Sequence, residues 1–333
     1  MRVLLIANYK KGVGGISAQV DSLYKNLKEG GLQVEIFSTK SSFPYKMILF
    51  VKLLLKGNKF HIFHIHACSD WGFLPAVIGI LIGKLLKKKI ILTYHGGGAN
   101  LFFAKHLILV RYFLSKTDAN IVLSGFLAKV FDYYKIPYEI VPNILELDHK
   151  RFKSRSIIQP RFISVRTLAP IYNIGCIIRA FEIVQRYLPE SELYIVGDGP
   201  EKEKLQQIVS VNNMHHIYFT GRVSNQDIYC YLDRADILLS SPIIDNQPVS
   251  VLEAFNAGLL VISSNVGGMP YMIEDGNSGL LFESDNHIEL ADKILWALNN
   301  QSETLRIIHE AKSRLAYYSW DNIRKDIFRI YHL

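Results

Sequence analysis

Residues 3–27 read VLLIANYKKGVGGISAQVDSLYKNL, and they divide into three parts. Residues 3–7 form a continuous apolar run, the pattern of a strand buried on both faces. Asn8 to Gly15 make a polar, glycine-rich loop, after which Ile16, Val20, Leu23 and Leu27 recur at helical spacing. Strand, glycine loop and helix in that order present backbone N–H groups and a helix N-terminus to a phosphate. A plain turn that needs glycine for its backbone angles would read the same way. The spacing is neither GxGxxG nor a Walker loop, so it carries no dinucleotide or ATP signature.

Working outward, the alternation continues. Strands are expected at 34–38, 62–66, 90–94, 119–123 and 139–141, with helices at 45–56, 71–88, 101–116 and 125–135 between them. The polar residues 142–159 read as a linker. A second series places strands at 161–165, 193–196, 217–220, 237–240, 259–263 and 280–282. Its helices fall at 173–187, 201–211, 225–234 and 249–257, and three more at 287–299, 302–317 and 320–331 close the chain. Strands alternating with helices imply βαβ units and parallel sheets. The expected fold class is therefore α/β, two Rossmann-like doubly wound domains facing across a cleft. Residues 1–155 make the first and 156–317 the second, with a C-terminal helix at 318–333 free to pack back on the first. Ligands of such sheets sit outside the carboxyl ends of the strands.

Composition sets bounds on this reading. A chain of 333 residues exceeds the usual single core, and 49% apolar with 20% charged residues excludes disorder. Cys68, Cys176 and Cys230 are too scattered for a metal site or a disulfide framework, which suits a reducing compartment. The N-terminus reads as a strand and not as a signal peptide. The most hydrophobic segment, 71–86, is interrupted by Lys84 and is shorter than the roughly 20 residues of a spanning helix. A cytoplasmic protein is expected, peripheral at most on the inner face of a membrane. The net charge of +8 is uneven: residues 1–150 hold 20 basic and 9 acidic residues, net +11, leaving −3 for the rest. That asymmetry calls for an anionic partner, whether membrane surface, lipid phosphate or nucleic acid.

The candidate chemistry centres on Ser240 to Pro270, SSPIIDNQPVSVLEAFNAGLLVISSNVGGMP. Asp245 and Glu253 stand eight residues apart, and Gly267-Gly268 follow a second apolar run. Acid groups with backbone N–H donors suit a ligand that combines hydroxyls and phosphate. Arg166 ends the first strand of the second half, where it could grip a diphosphate bidentately or form a strand-end salt bridge. His95 follows another strand and precedes Gly96, Gly97 and Gly98, which would let a ligand approach the backbone. His64 and His66 share a strand face that His61 does not. With no carboxylate beside them, they read as packed or hydrogen-bonded side chains near the sheet edge, and no metal is expected. Ser124 lacks a nucleophile-elbow context, and there is no DxD pair to bridge a cation to a diphosphate.

With these pieces in place the chain resembles the retaining, nucleotide-sugar-dependent glycosyltransferases of the GT-B fold (glycosyl transferase group 1, family four). The resemblance spans nearly the whole chain. It rests on Gly14-Gly15, Tyr94-His95-Gly96, Val141-Pro142-Asn143, Ser164-Val165-Arg166 and Val196-Gly197-Asp198-Gly199-Pro200. It continues through Phe219-Thr220-Gly221-Arg222-Val223, Asp245 to Glu253, Asn265 to Pro270 and Asp275 to Phe282.

The resemblance implies a role for each position. Glu253 would accept from ribose hydroxyls, Asp245 would contact the donor sugar near its anomeric carbon, and Arg166 would hold the diphosphate as it leaves. Gly14 and Gly15 would approach the same phosphates from the other domain, and His95 would hydrogen-bond the donor sugar. Gly197, Asp198 and Gly199 with Arg222 and Val223 would form the base pocket. The N–H groups of Val249 and Ser250, after Pro248, would meet the β-phosphate. Four departures stand out: the family's E-x7-E is D-x7-E here, and the usual lysine partner of the arginine is missing, with Tyr172-Asn173 in its place. Pro248 replaces a glycine, and Tyr271 stands where a glutamate often follows GGxP.

The expected activity is transfer of a sugar, with retention, from a nucleotide-diphosphate sugar, UDP-sugar favoured, to a glycan or lipid-linked hydroxyl in surface-polysaccharide synthesis. No metal or cofactor is expected, since the nucleotide sugar is a substrate. A nucleotide-sugar epimerase and a catalytically degenerate binding protein are the alternatives. Lys52, Lys56 and Lys59, with Lys87, Lys88 and Lys89, suit an anionic membrane surface. No recognition helix or stacking platform supports a nucleic-acid partner.

Overall fold

The computed structural model describes residues 1–12, 14–40, 46–146, 151–224 and 227–332. They fall into two compact units, Met1–Glu146 with Tyr318–Leu333, and Leu147–Tyr317.

The first unit runs β1 (Arg2–Ala7), α1 (Gly15–Glu29), β2 (Gln33–Ser38), α2 (Lys46–Gly57), β3 (Ile62–Ala67), α3 (Leu74–Leu85) and β4 (Lys89–Tyr94). It continues with α4 (Ala99–Leu114), β5 (Ala119–Val122), α5 (Gly125–Tyr133) and β6 (Glu139–Ile140). The sheet order is β2-β1-β3-β4-β5-β6, every pair parallel. Val3 to Ala7 and all of β3 are buried, as strands covered by helices on both faces must be. One face packs Leu4, Ile6, Phe63, Ile65 and Leu92 against α2 to α5. The other packs Val3, Leu5 and Ile91 against α1 and the C-terminal helix (Trp320–Tyr331), whose Ile323, Ile327 and Ile330 are buried there.

The second unit runs β7 (Arg161–Val165), α6 (Ile174–Tyr187), β8 (Glu192–Val196), α7 (Lys202–Val211), β9 (Ile217–Gly221) and α8 (Ile228–Leu232). Then come β10 (Ile237–Ser240), α9 (Val249–Ala257), β11 (Leu260–Ser264), α10 (Met269–Met272), β12 (Leu280–Phe282), α11 (His287–Asn299) and α12 (Gln301–Ser313). The terminal helix Trp320–Tyr331 is α13. Strand order here is β12-β11-β10-β7-β8-β9, again all parallel. Both sheets are Rossmann-like, and each reverses direction once. The switch points lie between β1 and β3 and between β7 and β10, where open α/β sheets bind ligands.

Several expected elements differ in detail. The 71–88 helix is a 3-10 turn over Asp70–Phe73 followed by α3, with Pro75 in its first turn and a left-handed Lys87 after its end. Helix α4 breaks at His106. The 302–317 helix stops at Ser313 and tightens to a 3-10 turn. Tyr45, Asn225 and Gln226, at the starts of two expected helices, lie outside the described residues. Among the described residues no helix is long and apolar enough to cross a membrane.

The expected linker needs the clearest correction. Leu147 to Lys150 lie outside the described residues, but the segment after them is anchored. Arg155 is buried, with Nε 2.6 Å from Asp236 Oδ1, and it donates to the carbonyls of Lys153, Ala235, Ala257 and Gly258. Asp236 is buried as well, and its other oxygen accepts from Arg161. A guanidinium is tolerated inside because nearly all its donors are satisfied.

Removing the shared carboxylate strips both arginines of their counter-charge. Asp236→Ala is expected to lower stability in urea unfolding by about 3 kcal/mol. A loss under about 1 kcal/mol would show that the backbone carbonyls alone hold Arg155.

Candidate functional site

The second unit's switch point brings three of the expected residues together. β7 delivers Arg166 at its carboxyl end, and β10 leads into the loop that carries Asp245. Arg166 Nη2 lies 2.7 Å from Asp245 Oδ2, with both side chains largely buried. The contact is an ion pair without hydrogen-bond alignment: Arg166 Nε and Nη2 and Asp245 Oδ2 all remain without a hydrogen bond. The guanidinium also lies over the Tyr172 ring, 5.1 Å from its centroid. Tyr172 stands in the region where the resemblance implied a lysine. A ring face thus meets Arg166 there, and no second cation does.

Glu253 lies on α9, near enough to the same guanidinium to feel its charge. Burial pushes its carboxyl up to about 7, and Arg166 pulls the other way. Near neutrality it can therefore donate as well as accept. Helix α9 begins at Val249 behind Pro248, with no side-chain cap and no acid in its first turn; Val251 N–H donates to the Pro248 carbonyl, and the N–H groups of Val249 and Ser250 stand ahead of it at the positive end of the helix. Ser164 and Ser240, at the ends of neighbouring strands, add two buried hydroxyls without partners. Among the described residues, eight buried side-chain polar atoms lack hydrogen bonds, and five of them belong to Ser164, Arg166, Ser240 and Asp245. A folded interior seldom leaves such atoms unmet unless a ligand completes them.

The glycines of these loops sit where the backbone is closely approached. A Cβ on Gly197, at φ +147, would sit 1.8 Å from the Arg166 carbonyl oxygen, and one on Gly199 would sit 2.3 Å from that of Leu168. Gly267 and Gly268 press in the same way on the carbonyls of Asp245 and Asn246. Gly268 N–H donates to the Asp245 carbonyl, so it is spent inside the protein. These glycines fix the backbone behind Arg166 and Asp245 by close approach. Asp198 bonds its own loop through Gly199 N–H. Arg222 is exposed and Val223 half-buried after β9, the sheet's edge strand, two strands from β7. The loop of Tyr172 is stitched to the loop of Asp245 by Ser241 Oγ, which donates to the Tyr172 and Asn173 carbonyls, and by Ile243 N–H, which donates to Ile171.

In the first unit, Gly14 takes φ 83 at the start of α1, where no side chain caps the N–H groups, and Gly15 follows it exposed. His95 points inward. Its Nε2 lies 2.9 Å from His66 Nδ1, and the two rings stack. His64 stacks on His66 in turn and bonds Thr93 and Tyr331. Burial lowers His95 to about 4 and His64 to about 3, so the stack is neutral. The packed, hydrogen-bonded expectation for His64 and His66 fits these contacts, but their placement near the sheet edge does not: β3 lies between β1 and β4. The space expected for a ligand at Gly96 is filled by Ser69 and Cys68. Among the described residues no cluster of three or more His, Cys, Asp or Glu is placed to hold a metal. Sequence reasoning missed two contacts, Tyr172 under Arg166 and His66 against His95. Only the alternation of His64 and His66 in β3 hinted at the second.

Comparison with known proteins covers both units. Residues 148–314 match the family model described as glycosyl transferases group 1, and residues 40–149 match glycosyltransferase family 4. An uncharacterised glycosyltransferase of Methanocaldococcus jannaschii is 24% identical, over 99% of this chain and 98% of its own. The N-acetyl-alpha-D-glucosaminyl L-malate synthase of Bacillus anthracis is 22% identical over 95% of this chain and 88% of its own. Among solved structures, Anabaena HepE in complex with UDP and glucose superimposes with a TM-score of 0.80 at 16% identity, covering 100% of this chain and 99% of its own. Sucrose-phosphate synthase from Thermosynechococcus elongatus gives 0.84 at 17% identity, covering 99% and 98%. At these identities the structural likeness shows the fold.

The raised Glu253 carboxyl has a definite sign. The fold favours its protonated form, so the side chain stabilises the protein fully below the ordinary carboxylate value. That contribution is lost as pH rises to about 7. Glu253→Gln is expected to gain on the parent between pH 5 and pH 8 by about 2 kcal/mol, measured by urea unfolding at both values. An equal difference at the two pH values would refute the shift.

Proposed function

We propose, from the premise that this chain belongs to the glycosyl transferases group 1 family, that it moves a sugar from a nucleotide-diphosphate donor bound in the second unit. The observation that carries this reading is the set of unmet polar atoms at the β7–β10 switch point, crowded around one guanidinium. Without a donor, Asp245 takes up the Arg166 charge. A diphosphate would take over that partner, drawing on the unbonded Nε and Nη2 and on the N–H groups that open α9. Asp245, then released, accepts from a sugar hydroxyl, and Glu253 pairs with the ribose diol.

In the reaction the bond from the anomeric carbon to the diphosphate oxygen breaks, and a bond to the acceptor oxygen forms on the same face, with retention. The acceptor's proton passes to the departing phosphate oxygen. No residue of this site stands as a committed nucleophile, so the rate depends on stabilising the leaving diphosphate. Arg166 and the α9 N-terminus supply that positive potential without a metal. The UDP held in the HepE structures supports uracil as the donor base. The acceptor in this reading is a glycan or lipid-linked hydroxyl at an anionic membrane, in surface-polysaccharide synthesis.

A thermal-shift screen with UDP, GDP, ADP, dTDP and their sugars is expected to show the largest stabilisation with UDP compounds. The absence of any shift would overturn the donor site, and release of an epimerised nucleotide sugar in place of free UDP would overturn transfer. Arg166→Lys keeps a charge but loses the planar fork and the ring contact. It is expected to lower kcat about 100-fold, with UDP binding weakened far less, checked by turnover and by the same melting assay.

A further inference from the structure

Helices α2, α3 and α4 lie side by side over one face of the first unit's sheet. Their outward surface is unusual in two independent ways. First, it is apolar where a solvated surface would be polar. On α4, Leu101 is 77% exposed, Ile108 89% and Tyr112 55%. Leu85 on α3, and Val51 and Leu55 on α2, are also exposed. An unpaired apolar face of this extent marks an interaction site. Second, the chain that builds it is almost without acid. Residues 36–117 contain 12 Lys and Arg and one acidic residue, Asp70. The helices on the opposite face of the same sheet carry Asp21, Glu29, Asp321 and Asp326.

Exposed lysines accompany the apolar side chains: Lys52 on α2, Lys84 on α3, Lys105 on α4, and Lys116 just past the end of α4. Of the six lysines expected to meet a membrane, three are engaged within the protein. Lys56 is tied to Glu35, Lys88 donates to the Asn58 carbonyl, and Lys89 has its ammonium buried at the start of β4. Lys52, Lys59 and Lys87 remain exposed.

We infer that the α2–α3–α4 face lies flat on an anionic lipid bilayer. Leu101, Ile108 and Tyr112 enter the headgroup region while the lysines between them meet lipid phosphates. Charge complementarity selects this occupant: a cationic surface whose gaps are filled by aliphatic side chains fits a layer that is anionic above and apolar beneath. A polyanion without an apolar layer would leave those side chains in water. The inference rests on the functional reading only in supplying a lipid-linked acceptor, and it does not require that sugar transfer occur.

The test is sedimentation of the full chain with vesicles of phosphatidylcholine alone and of phosphatidylcholine mixed with phosphatidylglycerol. Binding is expected to the mixed vesicles, weakened by added salt. Each lost lysine charge should cost about fivefold in partitioning, so Lys52→Glu with Lys105→Glu should lower it well over tenfold. Ile108→Asp should lower it comparably at unchanged lysine charge. Both variants alter exposed side chains, and an unchanged melting temperature and UDP shift would establish that they fold and keep the donor site. The inference is overturned if the parent ignores anionic vesicles or if neither variant weakens binding. It is equally overturned if Ile108→Asp abolishes a concentration-dependent dimer, which would make the face a contact between copies of the chain. A parent that binds vesicles but shows no nucleotide shift sinks the donor reading and leaves this one standing.

Discussion

The Arg166–Asp245 pair is the contact around which the second unit's unmet polar atoms gather. Two strands that are neighbours in the sheet but distant in sequence, β7 and β10, lead into Arg166 and into the loop of Asp245, so opposite charges meet where the strand order reverses. A largely buried guanidinium is expensive to desolvate, and only a close counter-charge and good hydrogen bonds offset that. Here the counter-charge is at 2.7 Å, but the hydrogen bonds are not made. The pair is therefore strong enough to hold the two loops and incomplete enough to yield to a better anion. Tyr172 contributes in the same sense. A ring face steadies the guanidinium without competing for its N–H donors.

Much of the fold was legible because the strands are buried on both faces and announce themselves as unbroken apolar runs. The doubly wound alternation followed from their spacing. Other features depend on which atoms come near in three dimensions, and no periodicity encodes that. Gly197 read as part of a base pocket and Gly267-Gly268 as backbone donors, and what the sequence does not encode is that a Cβ on each would meet the carbonyl of Arg166, Asp245 or Asn246. Arg155 read as part of a polar linker because composition cannot distinguish an exposed arginine from one whose donors are met by Asp236 and four carbonyls. The pairing of Arg166 with Asp245 was foreseeable only as one of two options, a strand-end salt bridge or a diphosphate clamp. The structure holds the first, in a form that leaves donors for the second.

The histidines of the first unit show how burial settles a question that motif reading leaves open. Three imidazoles near one another suggest a metal, but both His64 nitrogens are taken up by Tyr331 and Thr93, and His66 Nδ1 is taken up by His95 Nε2, which leaves His66 Nε2 buried without a partner. A neutral stack costs less to bury than a cationic one, which is why all three titrate below the usual histidine range. Tyr331 comes from the last helix of the chain. That helix thereby shares the sheet face with α1 and sets a hydroxyl against His64 of β3.

Charge pattern gives the sharpest contrast between the two units. In the second, exposed helices carry the ordinary opposite-charge pairs one turn apart, Arg186 with Glu182, Lys204 with Glu201 and Arg306 with Glu303. A helix whose only solvent is water gains solubility and a little stability from such pairs. Helices α2, α3 and α4 have no acid with which to form them within a helix, and among the described residues the one ion pair they make reaches across to β2. Removing acids from three consecutive helices, while α1 and α13 over the same sheet retain theirs, follows from no requirement of folding, since lysines at the rim of an apolar face are stabilised by nearby carboxylates. It does follow if the counter-ions are supplied from outside the protein, in which case every acid on that face would repel them. The same requirement accounts for Ile108 and Leu101, which gain nothing from exposure to water and have no neighbour within the unit to cover them.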